Sequence, residues 1–165
     1  MTVREKYRRL TLLLIEKGIT ISTMESCTSG QIASLITDTE GSSAIFRGSY
    51  VTYCNDEKIR LGVPAEIIEQ YGVYSEQTAT EMAKVCRNAF GTDIGVGITG
   101  SFGNTDPNNT DSIPGEVFFA ISTEDKTESF HFSVPEQKSR LDYKLYMADV
   151  LADQILERLL PDGFL

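Results

Sequence analysis

The segment Ile94-Gly95-Val96-Gly97-Ile98-Thr99-Gly100 constrains the architecture of this chain more than any other stretch. Its β-branched residues favour a strand, and glycines at alternating positions remove side chains from one face. Such a strand suits a position packed tightly on both faces, inside a layered fold. The same glycines formally match the Gly-x-Gly-x-x-Gly dinucleotide pattern. That motif needs its glycines in a strand-to-helix turn, whereas here two lie within the strand and a polar loop follows. A Rossmann site is therefore rejected.

The rest of the chain supplies the layers. Val3, Tyr7, Leu10 and Leu14 recur at helical spacing and predict a helix over 3–17, ended by Gly18. Ile19, Ile21 and Thr23 alternate as a first strand, after which Thr28 or Ser29 caps a helix carrying Ile32, Leu35 and Ile36. A second strand is predicted over 45–53, with Asn55 as N-cap of a short helix that stops near Gly62. Further helices follow over 64–71 and, capped by Ser75, up to Phe90 and Gly91. Residues 117–122 and 129–134 read as a hairpin, and 137–160 as a last helix. Strands alternating with helices and then a hairpin predict an α/β fold, mostly parallel but mixed, in one domain over 1–165. Residues 101–114 lack apolar periodicity and are rich in Asn, Asp and Pro. A long loop after a strand end is where open α/β sheets place ligands.

Charge narrows the function. There are 24 Asp and Glu against 15 Lys and Arg, a net charge of −9, which opposes duplex binding through neutralised phosphates and predicts no nucleic-acid partner. A small phosphorylated ligand needs only a few amides and one or two cations, so it stays open. Three cysteines with no close pair, and one histidine, give neither a disulfide framework nor a metal-ligand cluster. The charged N-terminal stretch and the short apolar run at 12–15 predict neither a signal segment nor a membrane span. A cytoplasmic protein without membrane partner, cofactor or metal is expected.

Two strand-to-helix junctions carry the chemistry. The first reads Thr23-Met24-Glu25-Ser26-Cys27-Thr28-Ser29-Gly30, where unsatisfied helix-start amides suit a developing oxyanion and Ser26 is the candidate nucleophile. Most serines at such junctions only cap or turn. Cys27 is the rival, but it lacks a histidine partner, since His131 lies in an alternating strand. The second junction, Tyr53-Cys54-Asn55-Asp56-Glu57-Lys58, offers an amine in the first turn of a helix. There the helix dipole opposes an ammonium and lowers its pKa toward that of a general base, although a solvated lysine beside Asp56 and Glu57 is the plainer alternative. Tyr53 could relay a proton between Ser26 and Lys58.

The combination Glu25-Ser26-Cys27-Thr28-x-Gly30, Gly41-Ser42-Ser43, Val51-Thr52-Tyr53-x-Asn55-x-x-Lys58, Tyr71-Gly72-x-x-Ser75-Glu76 and Ile98-Thr99-Gly100 resembles the C-terminal domain of competence/damage-inducible protein CinA. That domain also occurs alone as nicotinamide-nucleotide amidohydrolase. The resemblance runs in register from about residue 7 to 160. It implies a three-layer α/β/α sandwich and hydrolysis of the carboxamide of a pyridine nucleotide, nicotinamide mononucleotide. It further implies Ser26 as nucleophile, Lys58 as base assisted by Tyr53, and a homodimer. The amides of Cys27, Thr28, Ser29 and Gly30 would steady the oxyanion, and Thr28, Ser42, Asn55, Thr99 and Gly100 would position the nucleotide. The family's phosphate-side arginines read differently here, leaving Lys138 and Arg140 to meet a phosphate. Those departures keep two alternatives open: a nucleotide-binding regulatory module without turnover, and an amidase for another carboxamide.

Overall fold

Helix ends are set by short-range chemistry. Thr2 caps α1 (Val3–Lys17): its hydroxyl accepts from the Glu5 amide while the Glu5 carboxylate accepts from the Thr2 amide. Gly18 closes α1 in the left-handed region at φ 66°. The computed structural model describes residues 1–160. After α1 come β1 (Ile21–Glu25), α2 (Gln31–Thr37), a 3₁₀ turn (Ser42–Ala44), β2 (Phe46–Val51), α3 (Asn55–Leu61), α4 (Ala65–Tyr71) and α5 (Glu76–Phe90). The chain ends with β3 (Ile94–Gly100), β4 (Glu116–Ser122), β5 (Thr127–Ser133) and α6 (Arg140–Leu159).

The strands form one mixed sheet in the order β2-β1-β3-β4-β5. β1 pairs in parallel with both β2 and β3, while β4 and β5 add as antiparallel neighbours. Burial follows position. Every residue of central β1 and β3 is buried, whereas edge strand β5 alternates between half-buried and exposed. On one face α1, α2 and α6 enclose Tyr7, Leu10, Ile32, Met147 and Leu151 against Ile21, Val96, Ile98 and Phe119. On the other face Met24, Met82 and Cys86 pack beneath α5. The result is the three-layer α/β/α sandwich.

The glycines of β3 explain how α5 sits. A Cβ on Gly95 would come within 2.2 Å of the Ala83 carbonyl oxygen, and one on Gly97 within 2.3 Å of that of Ala79. The helix backbone therefore rests directly on the strand, and the small side chains of Ala79, Ala83 and Ala120 cluster beside this contact.

Among the boundaries that differ from the sequence reading, three are helix starts near the candidate site or the last helix. Cys54, not Asn55, is the N-cap of α3, so Lys58 falls at the fourth helical position, after Glu57 at the third. Gly30, not Thr28 or Ser29, is the N-cap of α2. The last helix begins at Arg140 because the Ser139 hydroxyl accepts from the Asp142 amide.

Gly97→Ala is expected to destabilise the protein by about 1–3 kcal/mol, because the obstructing atoms are backbone and cannot rotate away. Thermal melting should show a fall of several degrees. An unchanged melting temperature would contradict the direct helix-on-strand contact.

Candidate active site

β1 is flanked by β2 and β3, so the chain leaves it toward one side and later returns on the other. The carboxyl ends of β1 and β3 thus form the switch point at which such sheets open a crevice. Ser26 follows β1 there, and its amide donates to the Ile98 carbonyl at 3.1 Å. Residues 26–29 form a tight turn in which the Ser29 amide donates to the Ser26 carbonyl at 3.0 Å. Ser29 takes φ 50°, unusual for a residue with a side chain, and Gly30 takes φ 92°.

Glu25 fixes this turn. It is fully buried, and its carboxylate accepts from the hydroxyls of Thr23 (2.9 Å) and Thr28 (2.7 Å) and from the amides of Ile32 and Ala33 (3.0 Å each). The carboxylate supplies the cap that neither Thr28 nor Ser29 provides, and the start of α2 favours its negative charge. Sequence reading placed Glu25 in the motif without giving it this role. A charged residue ending an otherwise buried strand was the available signal.

Lys58 reaches the turn from α3. Its side chain is only 2% exposed, and its Nζ donates to Ser26 Oγ at 3.1 Å and to the Thr52 carbonyl at 3.0 Å. No carboxylate among the described residues lies within ion-pair distance of it. Burial without a counterion lowers its pKa from 10.5 to about 8. The cause is desolvation rather than a place in the first turn of a helix. A neutral amine can donate an N–H to Thr52 and present its lone pair to the Ser26 hydroxyl proton.

A cavity of about 880 Å³ opens over this pair. Cys27 lines it and is nearly inaccessible, and burial pushes its thiol up to about 12, which leaves no thiolate to rival Ser26. Tyr53 stands on the rim, 65% exposed, and its hydroxyl accepts from Arg140 at 3.1 Å. It makes no hydrogen bond to Ser26 or Lys58, so the expected relay is not assembled. Arg140 also donates to the Phe102 carbonyl and to Asn104 Oδ1, tying the rim to the long loop. Asn55 and Gly100 line the cavity, with Asn55 donating to Asn109 across it.

Several expected ligand contacts lie elsewhere. Ser42 opens the 3₁₀ turn before β2, next to Ile45, whose carbonyl accepts from the Ile21 amide at the start of β1. It therefore sits at the amino end of the strands, away from the cavity. Thr28 is buried and committed to Glu25, and Thr99 is buried with its hydroxyl on the Val73 carbonyl at 3.1 Å. Ser29, Gly30 and the exposed Lys138 are likewise absent from the cavity wall. In their place the wall carries Tyr74, Asp106 and Asn109, which sequence reading did not single out. Their signal was the Asp106-Pro107-Asn108-Asn109 turn, in which the Asn108 amide donates to Asp106.

The depressed Lys58 pKa has a consequence for stability. Below pH 8 both folded and unfolded chains hold the proton, and the folded state bears the full cost of a buried ammonium. Between pH 8 and 10.5 only the unfolded chain binds it, so stability rises with pH. Lys58→Met lacks this dependence. From pH 7 to 9.5 the wild type should gain about 2 kcal/mol relative to the variant in urea unfolding. Parallel pH dependences would show that Lys58 keeps an ordinary pKa.

The fold agrees with what the chain is similar to. Residues 4–152 match the CinA C-terminal domain. A CinA-like protein of Flavobacterium psychrophilum is 44% identical over 131 residues, covering 76% of this chain and 31% of that protein. Curated relatives are longer: the chain matches between 22% and 34% of their lengths. Among solved structures, a competence or damage-inducible protein from Enterobacter asburiae superposes with TM-score 0.88 at 26% identity, over 97% of this chain and 99% of that one. The competence/damage inducible protein CihA from Agrobacterium tumefaciens gives 0.85 at 28% identity, over 93% of each chain. This chain belongs to the CinA C-terminal domain family.

Proposed function

We propose that the protein hydrolyses the carboxamide of nicotinamide mononucleotide to nicotinate mononucleotide and ammonia. One observation carries the reading: a buried lysine without a counterion, hydrogen-bonded to a serine at the floor of a cavity. Neutral Lys58 takes the Ser26 hydroxyl proton as Oγ attacks the amide carbon. The amide of Cys27, a residue on the cavity wall, has no backbone acceptor among the described residues and is the donor for the oxyanion. Those of Ser26 and Ser29 are already engaged. Lys58 then protonates the departing ammonia as the C–N bond breaks, leaving an ester on Ser26. Water, deprotonated by Lys58, hydrolyses that ester and releases the carboxylic acid and the serine. Every step uses a group within reach of Lys58, so Tyr53 is not needed as a relay.

A second substrate within the same chemistry has its own support. Apart from Lys58, Arg140 is the one cationic side chain on the cavity wall, and Lys138 is not there. A single arginine, already shared with Tyr53 and the loop, holds a phosphate less firmly than paired arginines do. The unphosphorylated riboside is therefore the competing substrate.

Ammonia release from the mononucleotide is the test. Ser26→Ala and Lys58→Ala should each lower kcat by about 10³-fold or more, while Cys27→Ala retains substantial activity. In the wild type, kcat/KM should rise with pH to a plateau, with an apparent pKa near 8. Ammonia release that survives Ser26→Ala would sink the mechanism, and comparison with the riboside decides between the two substrates.

A further inference from the structure

The wall of the cavity made by residues 104–109 makes no hydrogen bond to Ser26 or Lys58, yet it is built around one charge. Asp106 Oδ2 accepts from the Tyr74 hydroxyl and from Asn109 Nδ2, both at 2.7 Å. Its Oδ1 accepts from the Asn108 amide at 2.8 Å, and its own amide donates to Ser112 Oγ at 2.7 Å. Asn109 in turn accepts from Asn55, the first residue of the helix that carries Lys58. Asp106 is thus held from the connection before α5, from the loop and, through Asn109, from α3.

That charge is kept and is not neutralised. Burial pushes the Asp106 carboxyl up, but the hydrogen bonds from Asn109, Tyr74 and Asn108, with a smaller contribution from the charge of Lys58, outweigh it and hold the carboxyl below its ordinary value. No cation among the described residues lies within ion-pair distance of it. Arg140 is engaged with Tyr53, Phe102 and Asn104, and Lys58 is neutral when it acts as base. A second acid, Asp56, and the phenols of Tyr53 and Tyr74 line the same cavity. Carboxylates and aromatic faces together are a receptor for an organic cation.

We propose that Asp106 is a specificity-determining residue, its carboxylate selecting carboxamides carried on a cationic, N-substituted pyridinium ring over neutral carboxamides. The inference rests on the amidohydrolase reading and adds the substrate feature that the site measures. Attack by Ser26 places the carboxamide at the cavity floor, so the ring that bears it lies within the cavity whatever the tail does. A ring alkylated or glycosylated on nitrogen brings its positive charge inside with it, and the unsubstituted ring brings none. The cation compensates Asp106 and also disfavours an ammonium on Lys58, which keeps the base free. Hydrolysis turns the amide into a carboxylate, and the new negative charge faces Asp106 and favours release. The selection acts on the ring and is indifferent to a phosphate, so it applies to mononucleotide and riboside alike.

Two ligands that differ only in this charge test it: 1-methylnicotinamide and nicotinamide. Each would be titrated calorimetrically into Ser26→Ala, which cannot turn them over, with and without Asp106→Asn or Asp106→Glu. Asparagine keeps an oxygen for Tyr74 and Asn109 while removing the charge, and glutamate keeps the charge. The cation should bind about tenfold or more tightly than the neutral ring. Asp106→Asn should abolish that ratio without weakening nicotinamide, and Asp106→Glu should retain part of it. Equal affinities in the Ser26→Ala parent, no binding of either ligand, or a ratio that survives in folded Asp106→Asn would each overturn the proposal. If Asp106→Asn does not fold, the ratio in the parent and in Asp106→Glu still decides. Ammonia release from the mononucleotide separates the two readings. Release without charge discrimination removes the role of Asp106 and leaves the reaction, whereas discrimination without release removes the reaction and leaves a cation-selective pocket.

Discussion

The carboxylate of Glu25 is the interaction on which the cavity end of the molecule depends. Fully buried at the end of β1, it gathers two hydroxyls and two helix amides from Thr23, Thr28, Ile32 and Ala33. These donors span the strand, the turn and the helix, so one group fixes all three relative to each other. Without it, two helix-start amides and two buried hydroxyls would lose their acceptor, at about 1–3 kcal/mol for each group left unsatisfied. The turn holding Ser26 could then relax, since Ser29 sits in a conformation that residues with side chains adopt reluctantly. The position of Ser26 is thus a consequence of the strand's last residue.

Lys58 makes the opposite contribution. Buried with only a hydroxyl and a carbonyl for company, it destabilises the fold in its charged form. An apolar residue of similar length would pack there at lower cost. The sheet can carry this burden because its centre is tightly assembled, with α5 lying on Gly95 and Gly97 of β3. Parallel pairing within the same sheet puts the carboxyl end of β3 beside that of β1, so the assembly that tolerates the lysine also shapes the crevice it occupies. A site that weakens the protein at neutral pH is a common compromise between stability and function.

The layers were legible because their signals are local. Thr2, Gly18, Ser75 and Gly91 end helices through contacts no more than a few residues away, and the glycines of β3 announce a backbone pressed against them. Ser26 and Lys58 were legible as residue types at strand-to-helix junctions, although nothing local distinguishes a buried lysine from a solvated one. The misplaced caps share one cause. The amide of Asn55 is spent on Asn109, and Glu25 reaches across seven residues to do what Thr28 or Ser29 could have done. Ser42 was expected at the ligand from resemblance alone, and only the three-dimensional path of β2 puts it at the wrong end of the sheet. The loop at 101–114 was recognisable by its length and composition. Its centre at Asp106 was not, because Tyr74 lies thirty-two residues away in sequence.

The position of Tyr53 bears on how little a serine–lysine pair requires. A histidine base needs a third group to choose its tautomer and fix its ring. A lysine amine has no tautomer, and its nitrogen is symmetric about the last bond, so one acceptor suffices to aim it. The Thr52 carbonyl fills that role here, taking one N–H so that the lone pair is left for Ser26. Thr52 is itself fixed, because its amide donates to the Glu25 carbonyl at 2.9 Å. Ser26 and Lys58 are therefore both referenced to Glu25, one by the chain that follows it and the other by the neighbouring strand. That shared reference keeps their separation constant without a third side chain, and it frees Tyr53 to pair with Arg140 at the rim.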